Sequence, residues 1–128
     1  MFNKNTEKLE SFIGANSTFK GDIETKGTLR VDGIVNGNIH ADWVVLGDKS
    51  HVKGDITVRG IVVGGRVDGN IKAKELVEIK NKGQIFGEIV TGKLVVVEGG
   101  VLDGRSRMHH EESGKIIEFQ SLDKAKQV

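Results

Sequence analysis

Val35 to Ile39 reads VNGNI, and the same figure returns along the chain: an apolar residue, a spacer, glycine, a small polar or acidic residue, then isoleucine. It stands as FKGDI at Phe19 to Ile23, VKGDI at Val52 to Ile56, VDGNI at Val67 to Ile71 and IFGEI at Ile85 to Ile89, with a weaker sixth copy, LDGRS, at Leu102 to Ser106. The repeat glycines are Gly21, Gly37, Gly54, Gly69, Gly87 and Gly104, separated by 16, 17, 15, 18 and 17 residues. A steady internal period is the signature of a solenoid, in which each repeat buries its apolar face only against its neighbours.

Each period carries a second apolar segment seven or eight residues after the glycine: Leu29 and Val31, Val44 and Leu46, Ile61 and Val63, Val77 and Ile79, Val95 and Val97. Apolar residues two apart are the mark of a strand with one buried face. A period therefore reads as strand, turn, strand, turn, and it is too short for a βαβ unit. The expected fold class is all-β: a single parallel β-helix of about six coils. Coils stacked at roughly 4.8 Å give a rod about 30 Å long. Glycine takes the corners, and the Asp, Asn or Glu that follows it can bond backbone groups there. A stack of like coils ends in two rows of unpaired N–H and C=O groups, which must be capped or used.

Composition agrees. Val and Ile together number 28 against 11 for Leu and Ala, with 18 glycines and no proline. Stiff β-branched side chains suit a pleated surface. Five Phe, one Trp and no Tyr leave a narrow core to be filled by small aliphatics. The formal net charge of +1, from 19 basic and 18 acidic residues, gives no electrostatic reason to expect nucleic acid. The chain has no cysteine, so disulfides and thiolate metal sites are excluded. No long apolar run stands near Met1, so neither a signal peptide nor a membrane-spanning helix is expected.

Catalytic and metal-binding constellations find little footing. Asp22, Asp55 and Glu88 share the slot after the glycine with Asn38 and Asn70, and turn chemistry accounts for them better than calcium does. His40, His51, His109 and His110 lack a carboxylate pair at metal-ligand spacing, and there is no G-x-S-x-G elbow. The stretch VVGGRVDGN at Val62 to Asn70 opens no helix, so it cannot build a helix-terminus phosphate site. Left-handed hexapeptide acyltransferases repeat every six residues and need a protruding loop, and neither feature is present. No enzyme activity, metal or cofactor is expected.

The flanks differ from the repeat. Residues 1–12 are expected to be a flexible N-terminal segment, residues 13–108 the β-helix domain, and residues 109–128 a charged C-terminal tail with one apolar knot at Ile116, Ile117 and Phe119. Met1, Phe2 and Lys4 form a candidate membrane contact. A Phe can bury about 2 kcal/mol of apolar surface and a Lys gains about 1 kcal/mol at an anionic leaflet. One copy is a negligible anchor, but many copies on a polymer act together.

Over residues 12 to 108 the chain resembles the bactofilins. The resemblance rests on IGANSTFKGDI (Ile13 to Ile23), LRVDGIVNGNI (Leu29 to Ile39), VEIKNKG with the IFGEI copy that follows it, and LVVVEGGVLDGRSRM (Leu94 to Met108). MFNK at Met1 to Lys4 is similar to the short membrane-contacting segment of many members. The resemblance implies a right-handed β-helix with short disordered tails. It implies a bacterial cytoskeletal protein that polymerises without nucleotide into nonpolar filaments by joining like ends. It also implies a cytoplasmic place at the inner face of the cell membrane, with the chain itself, the inner membrane surface and cell-wall or cell-shape proteins as partners. The proline-rich tails through which some members recruit partners have no counterpart in a chain without proline.

Assembly is expected on the terminal coils, where the faces are open. The candidates are Phe12, Ile13, Phe19 and Ile23 at one end and Leu94, Val96, Val101 and Leu102 at the other. Like-end contacts are isologous, so each patch meets its own copy. Leu102→Arg is expected to block filaments and leave the coil stack folded. The main alternative is a monomeric solenoid that offers one flat face to a partner protein. A small β-helix enzyme would need an acid-base cluster on one outer face, and none is spaced for it.

Overall fold

The computed structural model describes residues 9–110 and 115–119, and its strands form one 15-stranded sheet wound into six coils. Each coil has three short sides, termed A, B and C in chain order. The first coil is β1 (Leu9–Ile13), β2 (Thr18–Lys20) and β3 (Ile23–Glu24). The second is β4 (Thr28–Val31), β5 (Ile34–Asn36) and β6 (Ile39–His40). The third is β7 (Trp43–Leu46), β8 (His51–Lys53) and the first half of β9 (Ile56–Val63). The second half of β9, β10 (Arg66–Asp68) and the first half of β11 (Ile71–Ile79) make the fourth. The fifth takes the rest of β11 and all of β12 (Gln84–Thr91), and the sixth is β13 (Leu94–Val96) and β14 (Val101–His110). Every pairing from β1 to β14 is parallel, as expected when like sides stack coil on coil.

The core is a set of ladders. On side B, Phe19, Val35, Val52, Val67, Ile85 and Leu102 are in register. On side C the ladder is Ile23, Ile39, Ile56, Ile71, Ile89 and Ser106. Side A contributes Leu29, Val44, Ile61, Val77 and Leu94, and beside it Ile13, Val31, Leu46, Val63, Ile79 and Val96. Side chains of the four middle coils on these ladders are buried. Phe12, Phe19, Trp43 and Phe86 all keep some exposure, which matches a core too narrow for rings.

The repeat glycines form the corner between sides B and C. All six have positive φ, from 129° to 155°. A Cβ on Gly37, Gly54, Gly69, Gly87 or Gly104 would strike the carbonyl oxygen of the corresponding glycine one coil earlier. Glycine is thus demanded by backbone conformation and by close approach together. The polar residue after each glycine bonds from coil to coil. The Asn38 N–H donates to Asp22 Oδ1 (2.9 Å), Asp55 N–H to Asn38 Oδ1 (2.9 Å), Asn70 N–H to Asp55 Oδ1 (3.0 Å) and Glu88 N–H to Asn70 Oδ1 (2.9 Å). Turn chemistry explains these residues, but the partner is the next coil's corner rather than the residue's own turn.

Most of the wavering in the period arises at the corner between sides A and B. Ser50 N–H donates to Gly47 O, Gly83 N–H to Lys80 O and Gly100 N–H to Val97 O, closing four-residue turns in the third, fifth and sixth coils. In the second and fourth coils the same corner is only Asp32-Gly33 and Gly64-Gly65. The first coil closes the same turn, Ser17 N–H to Gly14 O, ahead of the first period. The long corners of the third, fifth and sixth coils fall in the periods of 17, 18 and 17 residues, and the two short ones in those of 16 and 15.

Two features differ from the sequence reading. In the sixth coil Leu94 pairs with Val77 and Val96 with Ile79, so the inward pair is Leu94 and Val96, not Val95 and Val97. The run LVVV is apolar at every position, so alternation cannot choose its register, and the hydrogen bonds to β11 do. Strands also extend past the expected domain limits. β1 begins at Leu9, and β15 (Lys115–Phe119) lies within the C-terminal segment, antiparallel to β14 from Ser106 to His110. The apolar knot in that segment thus belongs to a strand on an otherwise open edge.

Candidate assembly surfaces

The two ends of the stack are built differently. At the N-terminal end β1 pairs with β4 alone, β2 with β5 alone and β3 with β6 alone among the described residues, so the first coil presents an unpaired edge on all three sides. The end layer of side chains is Ile13, Phe19 and Ile23. Ile13 and Ile23 are half-buried against the core, and Phe19 is 39% exposed although it heads a buried ladder. This is apolar surface that a second rod would remove from water.

At the C-terminal end, among the described residues, side A stops at β13, with Leu94 and Val96 half-buried against the core. Among the described residues side B stops at the first half of β14, where Leu102 is fully enclosed. Side C is continued by β15. The isoleucine ladder ends there in Ser106, whose hydroxyl is buried without a hydrogen-bond partner among the described residues.

The eight residues expected at the joints therefore divide. Ile13, Phe19, Ile23, Leu94, Val96 and Leu102 point into the end layers. Phe12 and Val101 point outward, because they pair with Arg30 and Gln84 in outward columns. Leu102→Arg cannot serve as the clean test expected of it. A guanidinium in that fully enclosed position would be buried without a partner, and the coil itself would give way. Met1, Phe2 and Lys4 lie outside the described residues, as do the segments at 1–8 and 120–128 expected to be flexible.

A further surface was not singled out from the sequence. On side A, Phe12, Arg30, Val45, Val62, Glu78 and Val95 form one outward column, a coil apart. Phe12 is 57% exposed, and Val45, Val62 and Val95 are half-exposed. Arg30 bonds Asp32 through two nitrogens at 3.1 Å, and Lys80 Nζ bonds Glu78 Oε2 at 2.8 Å. The signal was present: WVVL and GIVV are apolar at the outward position too, which simple alternation would make polar.

On the outer face of side B, His51 Nε2 lies 2.6 Å from Asp68 Oδ2, Arg66 bonds the same carboxylate, and the Arg66 guanidinium stacks 4.4 Å from the Phe86 ring centre. The His51 hydrogen bond, reinforced by Arg66 and opposed by desolvation, holds the Asp68 carboxyl below the usual carboxylate range. This cluster ties the third, fourth and fifth coils together. Among the described residues no three His, Cys, Asp or Glu side chains gather as metal ligands do.

Comparison with known proteins bears on these surfaces. A family model described as bactofilin, polymer-forming cytoskeletal, matches residues 11–107. The chain is 30% identical over 105 residues to bactofilin BacP of Myxococcus xanthus (strain DK1622), covering 81% of this chain and 44% of that protein. It is 26% identical over 110 residues to bactofilin BacO of the same organism, covering 85% of this chain and 87% of that one. The chain thus spans less than half of BacP and most of BacO. Its fold matches the cryo-EM reconstruction of Thermus thermophilus bactofilin double helical filaments with a TM-score of 0.72 at 25% identity, over 76% of this chain and 97% of that one. With a polymer-forming cytoskeletal model spanning nearly all six coils, and the same solenoid in a filament, the chain belongs to the bactofilin family.

Proposed function

We propose that this chain is a bacterial cytoskeletal scaffold whose rods join like end to like end, without nucleotide, into nonpolar filaments. The observation that carries the reading is the first coil: among the described residues, three unpaired strand edges surround an apolar end layer in which Phe19 stands 39% exposed. An edge of this kind is a template for another strand, and an isologous joint satisfies its hydrogen bonds and covers Phe19 with its own copy. On this reading the role is structural rather than catalytic. Two such filaments pair side by side, as in the double helical filaments of the Thermus thermophilus relative. The polymer lies in the cytoplasm at the inner face of the membrane, held by many copies of Met1, Phe2 and Lys4, and organises cell-wall or cell-shape proteins.

Negative-stain electron microscopy of the untagged protein at micromolar concentration, with no nucleotide, tests the first part. Long thin filaments are expected. Isolated rods at every salt and protein concentration would replace the scaffold with a monomeric protein-binding solenoid. For the membrane part, deleting residues 1–4 is expected to release the polymer from anionic liposomes while filaments persist. Undiminished liposome binding by the deletion variant would remove Met1, Phe2 and Lys4 from the role.

A further inference from the structure

The outward column on side A has a pattern across the coils. It reads Phe12, Arg30, Val45, Val62, Glu78, Val95: apolar at both ends and in the middle, cationic in the second coil and anionic in the fifth. The next outward column inverts the charges, with Asp32 in the second coil and Lys80 in the fifth. The second and fifth coils thus each carry a local ion pair, and the two pairs are oriented oppositely.

We propose that side A is a self-complementary face on which a second copy of this chain docks with its rod antiparallel. A two-fold axis along the strand direction, passing between the third and fourth coils, lays coil two on coil five and coil three on coil four. Arg30 then faces the partner's Glu78, Asp32 faces the partner's Lys80, Val45 faces the partner's Val62, and Phe12 faces the partner's Val95. The other two-fold that brings two such faces together runs along the rod. Centred over this column, it sets Arg30 against Arg30 and Glu78 against Glu78, and like charges across an interface oppose pairing. Centred between the two outward columns, it matches Arg30 with Asp32 and Glu78 with Lys80 but lays Val45 and Val62 over the partner's Gly47 and Gly64. Only the antiparallel two-fold matches the charges and also brings the apolar centre against itself. The apolar centre supplies the surface withdrawn from water, and the two charge quartets flank it and set the register.

The pairing rests on the filament reading for its place, since it is the lateral contact between two filaments, and it goes beyond that reading in naming the face and its symmetry. An antiparallel pairing suits nonpolar filaments, in which rods of both directions are present along every strand.

The test uses the full chain and the variants Val62→Glu, Arg30→Glu and Arg30→Glu/Glu78→Arg, with filament width read by electron microscopy and particle mass by sedimentation. Arg30 and Glu78 are three coils, roughly 14 Å, apart within one chain, so repair of one by the other reports a contact between chains. Val62 is outward and half-exposed, so glutamate there leaves the core ladders intact. Wild type is expected as paired filaments. Val62→Glu and Arg30→Glu are expected as single filaments with mass per length halved, and the double variant as paired again. Paired Val62→Glu filaments, or failure of the double variant to recover pairing, would overturn the proposal. If the end joint is what fails, wild type gives no filaments but sediments at twice its 13.9 kDa chain mass, and Val62→Glu at that mass. Wild-type protein sedimenting as single 13.9 kDa chains would overturn the pairing as well.

Discussion

Replacing Phe19 by alanine removes the largest apolar side chain of the open end layer, and the loss can be sized. Full burial of a Phe side chain is worth about 2.5 kcal/mol. Phe19 is 39% exposed in the single rod, so covering the remainder contributes about 1 kcal/mol. An isologous joint buries two copies, giving about 2 kcal/mol per joint. At 1.4 kcal/mol per decade the dissociation constant of that joint should rise about 30-fold, and because one such joint serves two chains the critical concentration of Phe19→Ala should rise about fivefold. Phe19→Glu should abolish the joint, because two carboxylates would meet across the two-fold in an apolar layer. Pelleting at graded concentrations measures the first, and the second yields a diagnostic particle. In a Val62→Glu background, nonpolar filaments blocked at one end leave two rods joined at their C-terminal ends, whereas head-to-tail filaments leave single rods. A folded Phe19→Ala protein whose critical concentration stays within about 1.5-fold of wild type, against the expected fivefold rise, would refute the placing of Phe19 in a joint.

Three further outcomes follow from the corners and the side B cluster. Gly69→Ala should cost about 3 kcal/mol in urea unfolding, since φ is 153° and the added Cβ meets the Gly54 carbonyl; an unchanged midpoint would contradict the close approach. Asp55→Ala should cost about 1 kcal/mol by stranding the Asn70 N–H, while Asp55→Asn should be nearly silent because an amide oxygen serves equally at Asn38 and Asn70; equal losses would contradict the ladder. The lowered Asp68 carboxyl contributes stability that is present above the unfolded value of about 3.9 and is lost as pH falls below it toward the folded value. Asp68→Asn should therefore flatten the acid limb of the stability profile, and an identical limb in the variant would remove the pair with His51 from that role.

What was legible in the sequence was whatever repeats locally. The glycine period shows the coil because each corner needs the same backbone conformation. The inward ladders show in Val44 and Leu46 or Ile61 and Val63 because alternation is a property of a single strand. The end residue Phe19 was legible from the repeat itself, since the first copy's ladder position is both core and edge. The family resemblance lay in those same corner and ladder residues.

What remained hidden depends on which residue of one coil lies over which residue of the next. Leu94, Val95, Val96 and Val97 are equivalent to any alternation rule, and only hydrogen bonds to β11 turn Leu94 and Val96 inward. Asp22, Asn38, Asp55 and Asn70 look like separate turn residues until stacking places each oxygen beneath an N–H 15 to 18 residues away. Phe12 and Phe19 are alike as apolar residues of the first coil, yet pairing with Arg30 turns one outward and pairing with Val35 turns the other to the end. The sequence by itself determined the coil, through conformational demands met within a few residues. The tertiary structure decided the surfaces, because faces and end layers exist only once residues a full coil apart are brought within hydrogen-bonding distance.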